Sequence, residues 1–252
     1  MIIIGAGRVG QALEARAAMR GLSCLLVTRT EGWEQIDPEG SGPIFVATRN
    51  DDLNEVVDRI APSRREDLIL TQNGMLRPWI AGRELHGVTR GLLFFAVSAR
   101  GEDLSPGGLS PFTGPRASAV VSWLQRLDVP AQAVDDDAFR ATELEKLIWN
   151  CAFGLMCQRH SASVGTVVTQ HREQLKILVD EMNRVGGAAL GTDHELQPLF
   201  ERLCAYSLSI PAYRGAVKEY PWRNGWFVEL CSDDPSMMPV HQRLLAVVET
   251  AS

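Results

Sequence analysis

The chain has 252 residues, enough for one large domain or two of ordinary size, and its 45% hydrophobic and 22% charged residues are typical of a soluble globular protein with a sizeable core. A formal net charge of −6 argues against non-specific nucleic-acid binding, which needs a basic field. No apolar run approaches the roughly 20 residues that cross a bilayer, and a strand opening at Met1 is expected to leave no room for a signal or transit peptide.

The five cysteines (Cys24, Cys151, Cys157, Cys204 and Cys231) are odd in number and form no C-x-x-C pair. They read as reduced core residues of a cytoplasmic protein. Cys157 and His160 lie one turn apart, but no second pair completes a ligand set, so no metal site is expected.

The first ten residues, MIIIGAGRVG, combine an apolar β-branched run with the spacing G-x-G-x-x-G. Ile2, Ile3 and Ile4 predict a strand buried on both faces. Gly5 permits a tight turn, Gly7 lets the backbone approach a pyrophosphate, and Gly10 lets the next helix pack close. That helix, over residues 9–20, aims its free N–H groups at the phosphates. The spacing alone also fits an ordinary strand–turn–helix. The context favours the dinucleotide reading, because a second strand over 24–28 follows at βαβ distance. This second strand ends in Thr28-Arg29-Thr30, where an acidic residue would hold the ribose hydroxyls of NAD. Arg29 instead suits a 2′-phosphate, so NADP is the expected cofactor.

Residues 44–48 predict a third strand, and Asp51 or Asp52 a cap for a helix reaching Ile60. A fourth strand spans 67–71, with Gln72-Asn73-Gly74 turning off its end, where ligands bind in parallel sheets. A further strand region covers 88–98, and the Gly-, Ser- and Pro-rich stretch 105–115 reads as hairpin-like turns. A helix over 117–127 and a short strand over 131–134 follow. Beyond Asp135-Asp136-Asp137 helical periodicity dominates, with helices over 139–157, 170–190, 196–208 and 238–248. The predicted fold class is therefore α/β: a Rossmann-type dinucleotide-binding domain, residues 1–134, followed by an all-α C-terminal domain, residues 135–252.

Lys146, Asn150 and Gly154 recur every four residues and share one face of the long helix. Spacing alone also fits a solvated Lys146 paired with Glu143 or Glu145. The segment Glu145-Lys146-Leu147-Ile148-Trp149-Asn150, however, resembles the signature of the ketopantoate reductase family: lysine, leucine, two apolar residues, asparagine. Other landmarks of that family follow in order. They are the cofactor loop Gly5-Ala6-Gly7-Arg8-Val9-Gly10, the turn Gln72-Asn73-Gly74, then Ser207, Gly215 and Glu219, and the pair Asn224-Gly225.

The resemblance implies NADPH-dependent reduction of a 2-oxo acid to the 2-hydroxy acid, in a cleft between the two domains. It implies a place in pantothenate biosynthesis and a homodimer formed through the helical domain. Lys146 matches the general acid, and Glu219 the glutamate that pairs with the substrate hydroxyl and the lysine. Asn73, Asn150 and Ser207 match the groups that hold the substrate. Gly5, Ala6, Gly7, Arg8, Val9 and Gly10 match the cofactor loop, and Arg29, Arg49 and Asn73 are expected as further cofactor contacts. Three positions depart from the family pattern: Arg49 replaces a lysine, Gly154 an asparagine, and Pro211 an aspartate. Gly154 is expected to open space, and together the changes predict a bulkier or less polar substrate than ketopantoate. Other readings are a non-catalytic NADP-binding sensor or partner subunit, and a different dehydrogenase on the same scaffold. The intact set Lys146, Asn150, Ser207 and Glu219 speaks against the sensor.

Overall fold

Three consecutive isoleucines start the fold. Strand β1 (Ile2–Ile4) lies between β2 (Leu25–Val27) and β3 (Ile44–Val46), parallel to both, with Ile3 opposite Leu26 on one side and Phe45 on the other. Burial on both faces explains why these strands read as unbroken apolar runs. Strands β4 (Leu68–Leu70) and β5 (Thr89–Gly91) extend the parallel array. Helix α1 (Arg8–Met19) carries the chain from β1 to β2, and the next crossover returns it to the opposite side, at β3. The carboxyl ends of β1 and β3 thus form the switch point at which open α/β sheets bind ligands.

The computed structural model describes residues 1–249, in two compact units, Met1–Phe139 and Arg140 onward. The first unit holds more strand than its composition suggests. Within 105–115, expected as turns, β7 (Ser105–Pro106) pairs antiparallel with β6 (Phe95–Ala96), and β8 (Ser110–Thr113) joins the main sheet antiparallel to β5. Gly91 makes this join feasible: a Cβ there would stand 2.2 Å from the ring of Phe112, its cross-strand partner. Strand β9 (Ala131–Ala133) closes the sheet parallel to β8, in the order β2-β1-β3-β4-β5-β8-β9. Helix α4 (Ala117–Arg126) packs Val120 and Leu124 into a core shared with Leu13, Phe45, Ile69 and Phe112.

Helix α2 (Leu53–Arg59) follows a 3-10 turn over Asn50–Asp52, and no side-chain hydrogen bond caps it; the short α3 (Arg77–Gly82) lies between β4 and β5. The expected aspartate cap is not formed because the Asp52 carboxylate accepts from Arg29 Nη2 instead, at 3.0 Å. Below β4, Asp67 accepts from Arg64 Nε at 2.6 Å and from Arg116 Nε at 2.8 Å. Arg64 is 2% exposed and also donates to the carbonyls of Asp37 and Gly42.

The second unit is helical. Helix α5 (Asp136–Ile148) runs into a π-helical turn, Trp149–Phe153, and then α6 (Gly154–His160). The expected long helix is therefore present but wider for one turn, a distortion that recurs at functional sites. Next come α7 (Val164–Gln170), α8 (Arg172–Leu190) and α9 (Leu196–Ser209), with Gly191 ending α8 in the left-handed region. Helices α10 (Asn224–Leu230) and α11 (Pro239–Glu249) complete the unit. Buried Glu181 of α8 accepts from the amides of Val240 and His241, both at 2.9 Å, and so caps α11. His241 Nε2 meets Asn224 Oδ1 at 3.0 Å, tying α10 to α11, and burial holds this imidazole down to about 4. No helix among the described residues is long and apolar enough to cross a membrane.

Removing the carboxylate of Asp67 would leave the buried Arg64 charge uncompensated. Asp67→Asn is expected to lower stability by about 3–5 kcal/mol, read from the denaturant midpoint.

Candidate active site

The glycine turn is shaped by close backbone contacts. Gly5 has φ +113°, open to glycine and strained for other residues, and a Cβ on Gly10 would lie 1.9 Å from the Gly5 carbonyl oxygen. A Cβ on Gly7 would meet nothing nearer than 3.9 Å, so the space beside the turn stays open. Helix α1 begins there with no side-chain cap and no acidic residue in its first turn, which leaves its N–H groups to an anion. The side chain of Arg8 does not point to that role: it donates to the carbonyls of Val97 and Ser98 at 3.3 and 3.1 Å. Val9 packs against the core instead.

A cavity of about 650 Å³ opens at the switch point. Gly5, Ala6 and Gly7 line it after β1, Thr28 and Arg29 after β2, and Thr48 and Arg49 after β3. Arg49 is exposed at the mouth. Trp33 and Arg100 also line the cavity and were not singled out from the sequence. The Trp33 indole donates to the Thr28 carbonyl at 2.8 Å, and the Arg59 guanidinium lies 3.8 Å over its ring. In the turn after β4, Gln72 is buried and structural. Its amide donates to the carbonyls of Val46 and Thr48, at 3.0 and 3.2 Å, and stitches β4 to the end of β3. Asn73 is exposed beside it, and its carbonyl accepts from Asn50 Nδ2 at 2.9 Å.

In the second unit, Lys146 stands one turn before the π-helical segment. Burial draws its ammonium down to about 7, and the charge of Arg223 adds to that effect. Asn150 donates to the Lys146 carbonyl at 2.9 Å. Glu219 sits in the left-handed region at φ +48°, an uncommon conformation for a residue with a side chain. Its carboxylate accepts from Arg223 Nη2, and Arg223 is 9% exposed. Arg223 was missed from the sequence, although its position four residues after Glu219 was a readable acid–base spacing.

Ser207 lies apart from these groups in its bonding. It is fully buried, its hydroxyl donates to the Leu203 carbonyl at 2.8 Å, and it accepts from Trp149 Nε1 at 3.0 Å. The Trp149 ring stacks on Tyr213 and Phe153 at 5.9 and 5.8 Å and meets the edge of Tyr206 at 5.0 Å. Tyr206 and Tyr213 are half exposed.

Gly154 does not open space, contrary to the sequence expectation. The segment around Ala216 fills it: a Cβ on Gly154 would fall 2.7 Å from the Ala216 carbonyl oxygen, and one on Gly215 would fall 3.1 Å from Gly154 Cα. The missing side chain lets the chain that leads to Glu219 lie directly on the helix.

No protein-family model matches the sequence, and no curated protein matches it. Solved structures do. The chain is similar to D-mandelate dehydrogenase in complex with NADH, with 12% identity, a TM-score of 0.76, and coverage of 99% of this chain and 98% of that one. It is similar to 2-dehydropantoate 2-reductase from Methylococcus capsulatus, with 16% identity, a TM-score of 0.76, and coverage of 99% and 96%. It is also similar to the dimeric ketopantoate reductase from Staphylococcus aureus, with 14% identity, a TM-score of 0.70, and coverage of 100% and 99%. The chain thus has the fold of these proteins, a Rossmann-type α/β unit followed by a helical one.

A methyl group at position 154 has to push the Ala216 backbone away. Gly154→Ala is expected to cost about 1–3 kcal/mol of stability, measured by thermal unfolding.

Proposed function

We propose that the protein reduces a 2-oxo acid to the 2-hydroxy acid with NADPH. The observation that carries this reading is a lysine amine drawn down to about 7 by burial, near the charge of Arg223 and in the same unit as Glu219. A general acid works best when its pKa lies near the working pH, and burial has brought this amine there.

The residues of the first unit fit a dinucleotide. The uncapped start of α1 and the open side of Gly7 suit a pyrophosphate, and Thr48 and Arg49 line the same cavity. Arg29 at the end of β2 is exposed and suits a 2′-phosphate, which supports NADP over NAD. When bound, the cofactor supplies the hydride for the carbonyl carbon. Lys146 then donates its proton to the carbonyl oxygen as negative charge builds there, and Glu219 accepts from the resulting hydroxyl. Asn73 and Asn150 orient the substrate. Ser207 contributes indirectly, by fixing the Trp149 ring.

The half-exposed rings of Tyr206 and Tyr213 beside Trp149 support a substrate bulkier and less polar than ketopantoate. That support comes from the rings and not from Gly154. Five unpaired cysteines suit a reducing cytoplasm. We propose a homodimer by analogy with the dimeric Staphylococcus aureus reductase.

Two measurements test this reading. NADPH oxidation with a panel of 2-oxo acids should fall by several orders of magnitude in kcat for Lys146→Ala, with NADPH binding unchanged. Near-full turnover by that variant removes the assignment. The pH profile should follow the protonated amine. For reduction, kcat/KM is flat below about pH 7 and falls roughly tenfold per unit above it, while for oxidation of the 2-hydroxy acid it rises through the same range. A reduction rate constant from pH 6 to 9 contradicts the role of Lys146.

A further inference from the structure

Carboxylate recognition presents a difficulty for this site. The resemblance assigns part of it to Ser207, but here that hydroxyl is inaccessible and already bonded to Leu203 and Trp149. The proposed substrate still carries a negative charge that needs a partner. Among the described residues, one buried group of the right chemistry is present in the same unit. Arg223 has a side chain only 10% exposed. Glu219 takes one donor of its guanidinium, and Nε is buried with no hydrogen-bond partner. A guanidinium has five N–H donors in a planar fork, so Glu219 leaves much of its capacity unused.

The surroundings point the same way. The charge of Arg223 reaches both Lys146 and Cys151 on the α5 and π-helical segment. The position is held rigidly. Arg223 directly precedes α10, whose first residue, Asn224, is 1% exposed and bonded to His241.

We infer that Arg223 is a substrate-binding residue that anchors the carboxylate of the 2-oxo acid through its guanidinium fork, in place of Ser207. This rests on the reduction proposed above. The anchoring carboxylate sits on the carbon next to the reacting carbonyl, so one guanidinium fixes both the charge and the distance to Lys146. The Glu219 carboxylate holds Arg223 in place by accepting from its Nη2. Such a site takes monocarboxylates with a carbonyl at the second carbon and rejects the corresponding esters and amides.

The test uses the full chain with saturating NADPH and measures binding rather than turnover. The probes are N-phenyloxamate, a 2-oxo acid isostere resistant to reduction, and its neutral ethyl ester, followed by calorimetry. The wild type should hold the acid at least tenfold tighter than the ester. Arg223→Gln should weaken the acid by about 100-fold and leave the ester within twofold. Arg223→Lys, which keeps the charge and loses the fork, should weaken the acid by about tenfold and serves if the glutamine variant does not fold. A wild type that binds the acid no better than the ester, or not at all, overturns the inference. So does a variant that loses both probes equally, which marks a structural role. Failure of the reduction reading is distinguishable: no 2-oxo acid in the panel is then turned over, while Arg223-dependent binding of N-phenyloxamate persists.

Discussion

Positive charge held away from water is the constraint around which the second unit is arranged. An isolated ammonium or guanidinium loses several kcal/mol of solvation on burial, and only a partner or a proton shift relieves it. The two cations here are relieved differently. Arg223 cannot give up its proton, and it takes Glu219 as a counter-ion. Lys146 can, and burial lowers its affinity for the proton to the neutral range.

Backbone contact sets where that carboxylate stands. Gly154 and Gly215 have no side chains at the point where the 215–219 segment crosses the start of α6. Contact at this distance removes the slack that a longer side chain would introduce, and Glu219 follows within four residues in a left-handed conformation. The π-helical turn immediately upstream shifts the register of the helix between Lys146 and Gly154. The turn and the glycine contact therefore act on the same short stretch. Trp149 begins the widened turn and bonds to Ser207, so its ring is held by hydrogen bonding as well as by stacking.

Much of the fold was legible in the sequence because local and long-range signals agreed. The Ile2–Ile4 run, the glycine spacing and the αL glycine at 191 each have one reading that suits both the residue and its surroundings. The fold was misread where tertiary contact decided. Ser110–Thr113 contains a proline and little strand propensity, yet it pairs because Phe112 covers Gly91. Asp52 has the composition of a cap and serves as an ion-pair partner, since Arg29 lies within reach only after folding. Gly154 illustrates the limit for the site. A missing side chain looks the same in sequence whether its space stays empty or is taken by another backbone. Ser207 is the complementary case, because its residue type does not say that its hydroxyl is taken up by Leu203 and Trp149.

At the proposed cofactor end the corresponding ion pair lies at the surface. Arg29 pairs with Asp52, but its side chain is 76% exposed, and an exposed pair of this kind contributes about 0–1 kcal/mol. A phosphate monoester carries close to two negative charges and accepts a bidentate guanidinium, so it displaces such a partner at little cost. A ribose hydroxyl carries no charge and does not. In the NADP reading proposed above, Asp52 is a placeholder that keeps Arg29 near the end of β2. The contrast with Arg223 lies in the guanidinium, whose side chain is 76% exposed in Arg29 and 10% in Arg223, while the two carboxylates are about equally exposed; a buried guanidinium is costlier to strip of its partner than an exposed one.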